Sequence, residues 1–362
     1  MALEAAVVDV CVLYTVYAIL ALSMELEYGE LGLPNFAKAA FFAVGAFSAG
    51  AFSARLGLLL LGMRWEGSFK ERSWYYATLV TREVAHNPLF GVIILVSITA
   101  VAAVVAAALG VLIAYPTLRL REEYLAISLI AFSETVRVIA RNFDEFVGGT
   151  FGAGVVDVFA WAGSFRYLAL FLYALSSLAL SYVAYYRLSA SRYGRVLRSI
   201  RDDELAALAL GRNIWGLRMK TLAAGSVLAA IAGVIYALYT GAVNPDDFTA
   251  GKTFVVVMMV VLGGRGNPRG PLAGAALYIL LDKALSFTKH LVAITLDVNY
   301  LAYIVFGVSL LTVLKWKPGG LVPEKPLLTL RREVVLSYLG ERARLISRAR
   351  DGAYSSFDNQ GS

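Results

Sequence analysis

Two runs without a charged side chain, Tyr167 to Tyr186 and Thr221 to Pro245, flank a basic segment and decide what kind of fold this chain can adopt. Each run reaches the roughly 20 apolar residues that a helix needs to cross the hydrocarbon core of a bilayer. Between them, residues 187 to 220 carry Arg187, Arg192, Arg195, Arg198, Arg201, Arg212, Arg218 and Lys220 against only Asp202, Asp203 and Glu204. An excess of lysine and arginine between two spans marks the cytoplasmic face. The segment therefore reads as an inner loop, and the direction of every other span follows from it.

Hydrophobic residues make up 59% of the 362 and charged residues 16%, with a mean hydropathy of +0.68; an ordinary soluble domain carries about 25% charge. The expected fold is all-α, a polytopic membrane protein. A formal net charge of +7 does not point to nucleic acid, because the basic residues gather in the inner loop and in the tail after Leu314, where topology requires them. Cys11 is the only cysteine and His86 and His290 the only histidines, which excludes a disulfide framework and a Cys/His metal cluster. The first residues, Met1-Ala2-Leu3-Glu4, lack the positive region of a cleaved signal and Asp9 interrupts the apolar run that follows, so that run reads as a retained first span.

Apolar runs fall at about 5 to 24, 36 to 62, 89 to 115, 123 to 141, 166 to 187, 220 to 243, 253 to 264, 270 to 286 and 298 to 314. They predict about nine transmembrane helices, with the N-terminus outside and the C-terminus inside with its nine Lys and Arg. Loops are expected at 64 to 88 and, rich in glycine, at 142 to 165. Thr253 to Gly264 and Gly270 to Leu281 are each too short to span alone at 1.5 Å per residue, which predicts broken or re-entrant segments. The turn chemistry between them, Gly263-Gly264-Arg265-Gly266-Asn267-Pro268-Arg269-Gly270, belongs at membrane depth only where protein or a water-filled cavity surrounds it. Small residues at Gly45-Ala46-Phe47-Ser48-Ala49-Gly50 and from Ala223 to Gly233 are spaced for close helix packing. Residues 1–315 thus form a membrane domain, and 316–362 a cytoplasmic, basic, amphipathic tail.

Few motifs carry chemistry. Gly251-Lys252-Thr253 echoes a phosphate-binding loop, but Asp246 stands where its first glycine belongs. The glycines from 264 to 270 miss the dinucleotide spacing by one residue. No cofactor and no metal is expected, and no catalytic cluster exists. Glu134 and Arg137 lie three apart on one helical face, and charges within a span usually pair and face the bundle interior. They read either as a snorkelling arginine with its neutralising partner or as part of a pathway. Lys38 follows Pro34-Asn35-Phe36-Ala37, where a helix beginning at or within the membrane would offer its N-terminus to an anionic group. In the inner loop a helix is expected from about Gly194 to Leu210, stopped by Gly211. It bears a basic stripe of Arg195, Arg198 and Arg201 and an apolar stripe of Leu197, Ile200, Leu205 and Leu208, suited either to a lipid surface or to a soluble partner.

Gly194-Arg-Val-Leu-Arg-Ser-Ile-Arg-Asp-Asp-Glu-Leu-Ala-Ala-Leu-Ala-Leu-Gly211 resembles the cytoplasmic loop of the LivM/LivH permease family, the membrane subunits of ABC importers for branched-chain amino acids. Leu118 to Ile127 with Ser133 to Arg137, Val260 to Gly264 with Gly270 to Gly274, Gly149 to Gly152 and Trp316 to Leu321 resemble other recurrent segments of that family, in its order. Leu31 to Ala39 is similar to its Asn-Phe-Ala-His-Gly stretch, with Lys38 in the histidine position and Ala39 in place of glycine. The resemblance covers residues 10 to 321 and favours the LivM branch.

It implies a permease that pairs with a second homologous permease, two cytoplasmic ATPase subunits and an extracellular substrate-binding protein, and that performs no chemistry itself. It also implies an ATPase-coupling segment made of Arg195, Arg198, Arg201, Asp202, Asp203, Glu204, Ala206, Ala207 and Gly211, and a substrate pathway near Asn35, Lys38, Glu134 and Arg137. The same architecture would serve urea, amides or other amino acids. A stand-alone secondary transporter would need coupling-ion sites, for which Asp9, Glu134 and Lys38 are too few and too scattered.

Overall fold

The computed structural model describes residues 2–116, 120, 122–291, 298–324, 337 and 339–340. Most of the tail expected at 316–362 therefore lies outside the described residues. The first helix, α1 (Ala2–Met24), runs on without a break into a π-helical turn, Glu25–Glu30. After an extended stretch come α2 (Lys38–Leu60), α3 (Phe69–His86), α4 (Pro88–Ala114), α5 (Glu122–Asn142) and the single turn α6 (Asp144–Val147). The remainder is α7 (Arg166–Ala190), α8 (Arg192–Asp202), α9 (Glu204–Ala209), α10 (Ile214–Thr240), α11 (Ala250–Gly263), α12 (Gly270–Leu291) and α13 (Val298–Trp316). Only β1 (Ala153–Gly154) and β2 (Ala242–Val243) pair as strands, antiparallel, among the described residues.

Five helical stretches of the described chain are long and apolar enough to cross a membrane: Val7–Glu30, Lys38–Leu60, Pro88–Ala114, Ala160–Ala190 and Ile214–Thr240. The other four apolar runs form α5, α11, α12 and α13. Sequence explains which faces go where. On α4, Gly91, Ile94, Ile98, Ala102, Ala106 and Gly110 recur every three or four residues and are buried, while Val92, Ile93, Val96 and Val104 on the other side are exposed. A helix that is apolar all round, yet bare on one side, has hydrocarbon as its second partner. By contrast α2 is buried along nearly its whole length, because small residues let its neighbours close in. Gly45 lies against the carbonyl of Ala230 on α10, and Gly233 of α10 lies against the carbonyl of Phe42.

Three expectations change. The segment 64 to 88 is not a loop: Phe69, Ser73, Tyr76, Ala77, Val80 and Val84 fall on one buried face of α3, with Val80 against Gly57, and charged residues such as Glu71, Arg72, Arg82 and Glu83 occupy the other. The run near 270 does not break: α12 is a 22-residue helix, about 33 Å long, and Lys283 within it is neutralised by Asp9 of α1 at 2.7 Å. The inner loop is shorter than expected, because α7 continues through Arg187 to Ala190 and α10 already begins at Ile214. The short α11 is as expected, and its turn into α12 is satisfied by protein. Leu321 N donates to Leu262 O and Val322 N to Gly263 O, each at 2.9 Å.

Candidate functional site

At the end of the bundle where α7 leaves and α10 returns, the loop folds as two helices. Ser191 Oγ accepts from Tyr193 N at 3.1 Å and starts α8; Asp203 Oδ1 accepts from Ala206 N at 3.0 Å and starts α9. The single helix expected from Gly194 to Leu210 is thus broken at Asp203. A capping residue takes extended backbone (φ −156°, ψ 104°), and a helix cannot pass through it. Gly211 ends α9 with φ +73°, the left-handed conformation glycine adopts without strain. The expected apolar stripe is split as well. Leu197 and Ile200 are buried beneath α8, whereas Leu205, Leu208 and Leu210 stand 78%, 51% and 79% exposed.

The basic stripe is divided in the same way. Arg195 is exposed, and its side chain donates to the Ala190 carbonyl at 3.3 Å. Arg198 and Arg201, three residues apart and so on one face, turn inward to the π-helical turn that ends the first helix. Arg198 Nη1 meets Glu30 Oε2 at 2.6 Å and also donates to Ser189 Oγ. Arg201 Nη1 donates to Gly29 O at 2.6 Å, and its Nη2 to both oxygens of Glu324 at 3.0 and 3.1 Å. Burial works against the Arg201 charge, but Glu324 and Asp202 more than offset it and hold its guanidinium above the usual range. Asp202 and Glu204 remain exposed beside Arg201 and Arg218, Ala206 is exposed, and Ala207 is buried against the bundle.

The π-helical turn is the part of the site that sequence reasoning missed. Its Glu25, Glu27 and Glu30 are all fully buried, and each is claimed by a different element. Glu25 Oε1 accepts from Gly266 N in the turn between α11 and α12, at 2.6 Å. Glu27 pairs with Lys38 at the start of α2, at 2.6 Å with both side chains wholly enclosed. Glu30 takes Arg198 together with the hydroxyls of Tyr185 and Ser189 on α7. The available signal was spacing: three acids within six residues at the end of an apolar run, answered by two arginines three apart in the loop.

Lys38 is therefore neither at an open helix N-terminus nor facing water, because the Glu27 carboxylate already holds its charge. Asn35 is buried with its Oδ1 accepting from Ala37 N at 3.0 Å, and α2 begins where Ala39 N donates to Thr253 Oγ1 of α11 at 2.9 Å. Glu134 and Arg137 do pair, at 2.8 Å, and neither is alone. Glu134 Oε1 accepts from Ala250 N, the first residue of α11, at 3.1 Å, and Arg137 Nη1 reaches Asp246 at 2.9 Å. The pair fastens α5 to the segment leading into α11. Both side chains are partly exposed, so a coupling of about 0.5–1 kcal/mol is expected between them. A double-mutant cycle of Glu134→Gln and Arg137→Gln, followed by unfolding in detergent, should show the double variant costing less than the sum of the singles; strict additivity would mean that they do not interact.

No group of three or more His, Cys, Asp or Glu side chains among the described residues is placed to hold a metal ion. What the arrangement can do is mechanical: it fastens a leucine-tipped loop to the ends of several long helices. Apolar helices with hydrocarbon-facing stripes around such a joint define a multi-pass membrane protein. Residues 6–314 match the family model described as the permease component of branched-chain amino acid transport systems, and the chain belongs to that family. It is 35% identical over 322 residues to the probable branched-chain amino acid transport permease protein LivM of Methanocaldococcus jannaschii, covering 87% of this chain and 93% of the relative. It is 26% identical over 341 residues to the high-affinity permease LivM of Escherichia coli (87% and 70% of the two chains), and 26% identical over 317 residues to LivH of the same organism (84% and 90%). No solved structure matches.

Proposed function

We propose that this chain is one permease half of an ATP-driven importer of branched-chain amino acids, lining the pathway together with a second, homologous permease. In this reading α8 and α9 face the cytoplasm, as the loop's lysine and arginine excess favours, and the C-terminus lies on the same side, in the cell's inner membrane. Of the importer's two cytoplasmic ATPases one seats on α9, and an extracellular binding protein delivers the amino acid to the opposite end. Asn35 and Lys38 serve the pathway by fixing the start of α2, and Glu134 and Arg137 by fixing the start of α11; none of them needs to touch the cargo. Transport itself is a rocking of the bundles, with no bond made or broken by this chain.

One observation carries the reading. A family of transport permeases would have little use for two exposed leucines on a six-residue helix, Leu205 and Leu208, with a third, Leu210, just past its end, unless a soluble partner covered them; exposed apolar patches rimmed by charge mark interaction surfaces. The test is the complex purified with its own ATPases, second permease and binding protein and reconstituted in liposomes. Labelled leucine, isoleucine and valine should enter on ATP addition, and Leu205→Asp should strip the ATPases from the purified complex while the permease still inserts. Uptake of urea or a short amide alone would overturn the cargo, and retention of the ATPases with full uptake would overturn the docking face.

A further inference from the structure

The loop arginines divide by direction. Arg195 points to solvent, but Arg198 and Arg201 leave the docking loop and enter the end of the first membrane helix. We propose that the Glu30–Arg198 pair is the joint that passes movement of α8 into the membrane bundle, with Arg198 a positioning residue for transport. The proposal rests on the importer reading above.

Three features of the geometry support it. First, Glu30 is wholly buried and Arg198 nearly so, with 13% of its side chain exposed. Water does not reach Glu30, so sliding α8 away from the first helix would leave its carboxylate without a counter-charge in a dry site, at a cost far above thermal energy. The two elements must move together. Second, the joint is supported on both sides: Tyr185 and Ser189 of α7 bind the same carboxylate, and Arg201 grips the Gly29 carbonyl one residue away. Gly32 leaves room for that grip, since a side chain there would meet Arg201. Third, the six-residue π-turn carrying Glu30 also carries Glu25 and Glu27, which reach the α11–α12 turn and the start of α2. A displacement received at Glu30 is delivered to two further parts of the bundle through hydrogen-bonded carboxylates on one rigid turn. Single π-turns within α-helices recur at functional sites.

A simple fold anchor would make the same contacts, so the experiment must separate anchoring from transmission. In the reconstituted complex, ATPase retention, ATP hydrolysis and labelled leucine uptake are measured on the same vesicles for Glu30→Gln, Arg198→Gln, the double variant and Arg198→Lys. Both single variants should retain the ATPases and hydrolyse ATP, while leucine moved per ATP falls at least tenfold. The double variant should be no worse than either single, and Arg198→Lys, which keeps the cation, should recover part of the ratio. If Arg198→Gln does not accumulate, Arg198→Lys carries the test alone, with a reduced ratio expected. An unchanged ratio, or hydrolysis and uptake falling together in constant proportion, overturns the proposal. Absence of ATP-driven leucine uptake by the unmodified complex would instead count against the importer reading, so the two are told apart.

Discussion

Lys38→Met is expected to destabilise the protein by about 3–5 kcal/mol, the usual cost of leaving one member of a buried ion pair uncompensated. Lys38 Nζ and Glu27 Oε2 are 2.6 Å apart with no exposure on either side chain. The methionine would fill much of the lysine's volume, so the loss comes from the stranded Glu27 carboxylate rather than from a cavity. The companion variant separates the two: in Lys38→Met/Glu27→Leu no charge is left behind, and replacement of a buried pair by apolar residues is often neutral or stabilising. Thermal unfolding in detergent should therefore show a large fall for the single change and recovery of most of it in the double. If Lys38→Met unfolds like the parent, Lys38 is exposed to water and the enclosed pair does not exist.

A comparable effect is expected where α2 and α10 cross. Gly45 and Gly233 are reciprocal, each lying against a backbone carbonyl of the other helix, Ala230 O and Phe42 O respectively. A side chain at either position cannot be accommodated by a rotamer change, because what it meets is main chain. Gly233→Val should force the helices apart along their contact and cost at least about 3 kcal/mol, the upper end of the usual overpacking range, seen as aggregation or loss of a monodisperse peak in detergent. Gly307→Val in α13 is the control, since a Cβ there meets nothing within 4 Å. Equal behaviour of the two variants would mean that α2 and α10 do not pack at these glycines.

Features set by local chemistry were legible in the sequence. Uncharged runs placed α7 and α10, with ends that slipped because Arg187, Arg218 and Lys220 can sit within a helix and reach past its apolar part. The Gly45 and Gly233 neighbourhoods pointed to close packing, and both lie at a crossing. Glu134 and Arg137 could be paired on paper, because three residues apart is a contact within one helix. Pairs made across the chain left no such trace. Lys38 looked available for a ligand because Glu27 lies eleven positions earlier and on another helix, and α12 looked too short because the run was read only to Leu281, while the Asp9 that balances Lys283 is in α1. The break at Asp203 was legible in principle, as an aspartate three residues before Ala206, but an unbroken helical pattern of leucines and arginines masked it. The amphipathic α3 was hidden by its charged face, which brings its mean hydropathy below that expected of a membrane-associated helix.

The acidic end of the first helix has a consequence for how the protein is made. Glu25, Glu27 and Glu30 emerge from the ribosome early, yet their partners are Lys38, Arg198 and the backbone of Gly266. At about 5–20 residues per second, the 236 residues separating Glu30 from Gly266 take on the order of ten to fifty seconds to synthesise. Glu30 waits for Arg198 over much of that interval and Glu25 waits for Gly266 throughout it, and hydrocarbon is closed to an uncompensated charge. Until then this span must wait with its acidic end at the aqueous boundary or in the insertion machinery. It seats fully only when Gly266 arrives, so this span enters the membrane well before it reaches its final depth.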